Sequence, residues 1–184
     1  ITAIDAAPQA SDMRTCLASP LLRFYMELEN DLHMHKVMGN LVFTALGAES
    51  VAQAKSRIAH FLFTHLGEFG DPLADIEACL DYVCDPARGG RVILAEEDGD
   101  IVGAVVLNDT GMSGYIPEHI LVYIAVHERM RGQGVGGTLM QEAIMNSSGS
   151  VALHVEPHNP ARRLYERLGF ENKYLEMRYT REPT

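Results

Sequence analysis

Apolar positions recur along this chain with two different periods, and the change falls near the middle. Up to residue 88 the spacing is that of amphipathic helices. In residues 19–39, Ser19 suits a cap, Pro20 the first helical position, and Leu21, Tyr25, Leu28 and Leu32 share a face, with Gly39 as the stop. A second helix is predicted over residues 48–66, where Val51, Ile58, Phe61, Leu62 and Leu66 fall on one stripe. A third opens after Asp71 and Pro72 and carries Leu73, Ile76, Leu80 and Val83. Beyond Gly89 and Gly90 the period shortens: residues 91–109 read as two β-rich runs around Glu97-Asp98-Gly99-Asp100, the pattern of an antiparallel hairpin. Next come a Gly- and Pro-containing loop (111–117), a strand (119–127), a glycine-rich segment and a helix to about residue 145. A strand at 151–156, a short helix around 160–168 and a strand-like run at 173–181 complete the pattern. With no repeat, low-complexity tract or linker, residues 1–184 read as one domain, mainly helical over 1–88 and sheet-forming over 91–181.

Composition narrows the class. A chain of 184 residues, 47% hydrophobic, is large enough to bury one core. Its longest apolar runs, such as 102–107 and 120–126, fall far short of the roughly 20 residues that span a membrane, and the opening residues have no signal-peptide pattern. Cys16, Cys79 and Cys84 are an odd number without zinc-type spacing, so reduced thiols in a cytoplasmic protein are expected. His33 and His35, two apart on the predicted helix, would point to different faces, and no metal site is expected. A net charge of −10 argues against a basic nucleic-acid surface and is compatible with a cationic acceptor, although many proteins carry such charge simply for solubility.

Candidate chemistry concentrates between residues 131 and 138. Arg131, Gly132, Gln133, Gly134, Val135, Gly136, Gly137 and Thr138 lie between a strand and a helix. A helix start leaves about four N–H groups unpaired and carries partial positive charge, so a phosphate can accept several of them together. A capping turn needs one glycine, whereas four occur here within six residues. A Walker-type loop is excluded because no lysine precedes Thr138. Gly132, Gly134 and Gly137 also match the glycine spacing of a dinucleotide-binding fold, with Glu156 ending the next strand. Context opposes that reading: residues 127–131 separate strand from glycine, and few elements follow Glu156.

The segment closely resembles the GNAT superfamily of N-acetyltransferases, whose acetyl-CoA signature (Arg or Gln, two residues, Gly, one residue, Gly or Ala) is met by Arg131, Gly134 and Gly136. Residues 158–170 resemble the exit of the family's fifth strand and its following helix, with Tyr165, Gly169 and Phe170 at the family's Tyr and Gly-Phe positions. The likeness spans roughly residues 91–181. It implies an α/β fold with a mixed, mostly antiparallel twisted sheet flanked by helices, here preceded by an extended helical first half. It also implies acetyl-CoA as co-substrate, gripped by amides from Gln133 through Thr138. The strand edge Ile124, Ala125 and Val126 would pair with the pantetheine arm, and Asn159 would hold it, although many members place that asparagine one position earlier, where this chain has His158. Arg162 and Arg163 are candidates for the cofactor's phosphates, although exposed helix arginines are ordinarily solvated. Family members often dimerise, so a homodimer stays open.

The acceptor would be an amine. A lysine-like amine has a pKa near 10.4, so its neutral form costs about 4.6 kcal/mol at pH 7 and a base is expected. Glu118, thirteen residues before Arg131, is where the histone-type branch places its catalytic carboxylate; His119, Tyr123 and His127 are alternatives. By the same resemblance, Tyr165 would protonate the leaving thiolate. A non-catalytic acyl-CoA-binding module and a dinucleotide-binding oxidoreductase remain rival readings.

Overall fold

The computed structural model describes residues 35–181. In chain order the elements are β1 (His35–Met38), β2 (Leu41–Leu46), α1 (Ala48–His65), α2 (Leu73–Cys84), β3 (Gly90–Glu97), β4 (Asp100–Asp109), β5 (His119–Val126), α3 (Val135–Met145), β6 (Val151–Leu153) and α4 (Arg162–Arg167). The strands form one sheet in the order β1-β2-β3-β4-β5-β6, antiparallel throughout except for the parallel β5–β6 pair.

Helices cover both faces. On one, Val51, Ile58, Ala59 and Leu62 of α1 and Ile76, Leu80 and Val83 of α2, all fully buried, pack on Val92, Leu94, Ala104 and Val106. On the other, Leu139, Met140 and Ala143 of α3 and Tyr165 of α4 pack on Phe43, Ile93, Val105 and Leu107. Each large aliphatic side chain so buried contributes about 1.5–3 kcal/mol. Double coverage also explains the unbroken apolar run of β4, whose residues 102–107 have no wet face. The β3–β4 hairpin turns through Asp98 (φ 52°) and Gly99 (φ 87°), the left-handed pair that a two-residue turn between right-twisted strands requires.

Three sequence-based expectations are corrected. The helix expected over 19–39 is not present in its described part, for His35–Met38 is a strand paired with β2; residues 19–34 lie outside the described residues. Gly39 at φ 64° serves a hairpin turn between Met38 and Leu41, and a helix terminator needs the same left-handed backbone, so the local signal fits both. The strand expected at 151–156 pairs only over Val151–Leu153. The run at 173–181 forms no strand, because alternation needs a partner ladder and this segment has none: Leu175, Met177 and Tyr179 are 88%, 93% and 91% exposed.

Candidate active site

The site begins with one extra residue in β5. Tyr123 pairs with Val106 and Leu121 with Leu107, so Val122 is a bulge opposite two consecutive residues of β4. The bulge reverses side-chain parity: Leu121 packs on the α3 face, whereas Tyr123 and Ala125 pack on the α1–α2 face. It also coincides with the end of β6 pairing, which covers only His119–Leu121. From Val122 to Val126 the outer edge of β5 therefore has no partner strand among the described residues. Ile124 and Val126, half-buried, line this edge towards α3 and α4.

The chain then enters the glycine-rich turn. His127 accepts the Arg129 N–H on its ring nitrogen (3.2 Å), Met130 anchors the turn in the core, and the Gln133 side-chain Nε2 donates to the Arg129 carbonyl (2.7 Å). The Arg131 guanidinium donates to the Val126 carbonyl (3.1 Å) and to the His65 carbonyl (3.1 Å), fastening the turn to the ends of β5 and α1. Gly132 (φ 75°) and Gly134 (φ 85°) take the left-handed backbone that admits α3. The helix has no side-chain cap and no acidic residue in its first turn, whereas α1 and α2 carry Glu49 and Asp75 there. Its first main-chain bond is Thr138 N–H to Gly134 O (3.0 Å), which leaves the amides of Val135, Gly136 and Gly137 without a helical acceptor. A Cβ on Gly136 would stand 3.6 Å from Val126 and from Leu164, so this face of the turn looks into the gap between β5 and α4. The Thr138 side chain faces inward, its hydroxyl 3.7 Å from the Met38 sulfur; only its amide belongs to the turn.

The opposite wall is α4. Asn159 accepts the Ala161 N–H (2.9 Å) and so shapes the start of that helix. Tyr165 is buried in the core cluster that contains Ile124, Val126 and Val135, with its ring centroid 6.0 Å from that of Phe170. Its hydroxyl makes no hydrogen bond among the described residues, and burial pushes the phenol up to about 12. A cavity of about 480 Å³ on the outer side of α4 is lined by Asn159, Arg162 and Arg163, among others, but Arg162 is paired with Glu166 (2.8 Å).

The base candidates separate. Glu118 sits at the far end of β5, eight residues before Val126 and so roughly 25 Å from the turn at strand spacing. Its carboxylate accepts the Ser150 N–H (2.7 Å) and the Gly114 N–H (3.3 Å), which hold it below the usual carboxylate range. It thereby clamps the 111–117 loop to the start of β6. His119 bonds Asp109 (2.8 Å) and borders a cavity of about 310 Å³ with Arg91 and Ser148. His127 packs against His65 with tilted rings (centroids 4.4 Å apart), and the His65 pKa is lowered by burial and then by His127 and Arg131. Tyr123 donates its hydroxyl to Asp71 (2.7 Å), and burial followed by that bond pushes the phenol up. Asp71 was legible only as a helix opener, because the two residues stand 52 apart in the chain. No group of three His, Cys, Asp or Glu suited to a metal occurs among the described residues.

An amide-rich helix start thus lies beside an opened strand edge. The acetyltransferase (GNAT) domain model matches residues 88–172 of the chain. No curated protein matches it by sequence. Among solved structures, it resembles aminoglycoside N-acetyltransferase AAC(6')-Iy in complex with CoA (15% identity, TM-score 0.59, covering 83% of this chain and 99% of that one). It also resembles the aminoglycoside acetyltransferase meta-AAC0020 from an uncultured soil metagenomic sample, in complex with sisomicin (17%, 0.56, 78% and 97%). A third is a ribosomal-protein-alanine N-acetyltransferase from Brucella melitensis biovar Abortus 2308 (20%, 0.54, 76% and 98%). At these identities the likeness is one of fold.

Proposed function

We propose that the protein transfers the acetyl group of acetyl-CoA to an amine by direct attack within a ternary complex. The observation that carries this reading is the adjacency of two features: amides at Val135, Gly136 and Gly137 without a helical acceptor, and a β5 edge over Val122 to Val126 that is unpaired among the described residues. The first would hold the diphosphate, with Gly132, Gln133 and Gly134 forming the approach. The second would bond the pantetheine amides as an added strand does. Hydrogen bonds to a charged group contribute about 1.5–3 kcal/mol each, so a few suffice.

The co-substrate supplies an activated thioester. Tyr165 supplies the proton its thiolate needs, since a phenol pushed up to about 12 is protonated at neutral pH. Glu118 is the sequence-based choice for the amine's proton, although main-chain donors, Ser150 first and then its own amide and Gly114, stabilise its anion and weaken it as a base. The aminoglycoside acetyltransferases of similar fold support an amine acceptor, without naming this one.

The decisive test has two parts. Calorimetric titration with acetyl-CoA should show binding where NADH shows none. Free-thiol release should then depend on an added amine drawn from aminoglycosides, polyamines and peptides. Binding without amine-dependent thiol release would point to a regulatory module, and NADH binding to an oxidoreductase.

A further inference from the structure

The acetyl-transfer reading leaves the docking of the amine unassigned, and the Tyr123–Asp71 pair lies at the start of the β5 edge that β6 leaves unpaired. Tyr123 is the first residue after the bulge, at the start of the unpaired β5 edge and about 10 Å along the strand from Val126. Its side chain projects to the α1–α2 face, the side of the sheet away from α3 and α4. There its hydroxyl donates to the Asp71 carboxylate at 2.7 Å. A phenol has one proton. With that proton committed to Asp71, the oxygen has only lone pairs to offer and becomes an obligate acceptor.

Resting on the acetyl-transfer reading, we propose that Tyr123 Oη receives an N–H of the acceptor ammonium and that Asp71 is the positioning residue that fixes this polarity and supplies the countercharge. The acceptor class is then a primary ammonium. Asp71 is exposed, so a cation can approach it from solvent while Tyr123 stays held in the core. The charges around the pair favour that approach. Asp75 and Cys79 of α2 face Tyr123 along with Asp71, and of these Asp71 and Asp75 are carboxylates. Arg178, paired mainly with Glu176, already senses the Asp71 charge. Proximity of the Cys79 thiol, pushed up to about 11 chiefly by burial, adds no charge at neutral pH.

The test uses the full chain with acetyl-CoA and two probes, spermidine and an arylamine that is uncharged at pH 7. Tyr123→Phe keeps the packing and removes the oxygen; Asp71→Asn keeps a hydrogen-bond acceptor and removes the charge; Asp71→Glu is the conservative rescue. Tyr123→Phe is expected to raise KM for spermidine at least tenfold and leave KM for acetyl-CoA within twofold. Asp71→Asn should raise KM for spermidine but not for the arylamine, and Asp71→Glu should recover most of the loss. The double variant should be no worse than the poorer single one. Thermal melts establish that each variant is folded, and Tyr123→Phe carries the test if an Asp71 variant is not. Unchanged spermidine KM in folded Tyr123→Phe overturns the proposal, as does an equal loss for both probes in Asp71→Asn. If the wild-type chain binds acetyl-CoA and acetylates no amine, the parent reading falls instead.

Discussion

Before Val122, β5 is an interior strand, with β4 on one side and β6 on the other; after it, the same strand is an edge. Both halves are apolar and both lie under helices. The first spends all its main-chain bonding on the fold, and the second keeps one side in reserve. At the boundary stands a single inserted residue, which coincides with the end of one ladder and turns Tyr123 towards Asp71. On the proposed acetyl-transfer reading, the side whose strand partner is withheld is what receives the cofactor.

Removing the insertion is the harshest challenge to that contrast. Deleting Val122 makes Leu121 and Tyr123 neighbours on their native faces and regularises the ladder, so the chain should still fold while acetyl-CoA affinity falls by more than about a hundredfold in calorimetric titration. A deletion variant that folds and still binds acetyl-CoA would show that the bulge is incidental. Next in size, Tyr165→Phe should lower kcat about a hundredfold while acetyl-CoA affinity survives, measured by thiol release and calorimetry. Smaller still is Gly136→Ala. Its new Cβ meets only ordinary contacts at 3.6 Å, so the first turn of α3 should gain up to about 1 kcal/mol in a thermal melt. Acetyl-CoA affinity should fall about tenfold, because the methyl group occupies the gap the cofactor needs. Stability and affinity moving together would argue against a cofactor in that gap.

The mildest effect concerns the other end of β5. Glu118→Gln removes the anion that the Ser150 and Gly114 amides bind. A carboxylate depressed in the folded state adds stability above its ordinary value of 4.5 and loses it as the pH falls through the lowered folded value. A small drop in Tm at pH 7 should therefore shrink as the pH is lowered below 4.5. Loss of turnover far exceeding this loss of stability would restore Glu118 as a base.

Features that depend on the backbone of a few neighbouring residues were set by the sequence alone. Four glycines around residues 132–137 dictate the turn and the helix start, Asp98-Gly99 dictates the β3–β4 hairpin, and the apolar stripes of α1 and α2 dictate which faces are buried. These are steric and burial preferences expressed within one or two turns of chain. Tertiary structure decided the rest. Gly39 fits a helix stop or a hairpin, and only pairing with β2 selected the hairpin. Nothing in the unbroken apolar run of β5 marks Val122 as the residue to be expelled, because the choice balances cross-strand packing on both faces at once. The strand pattern at 173–181 produced no strand for lack of a ladder. Asp71 met Tyr123 because α2 docks across the sheet, and chemistry that depends on such long-range docking has no local spacing to reveal it.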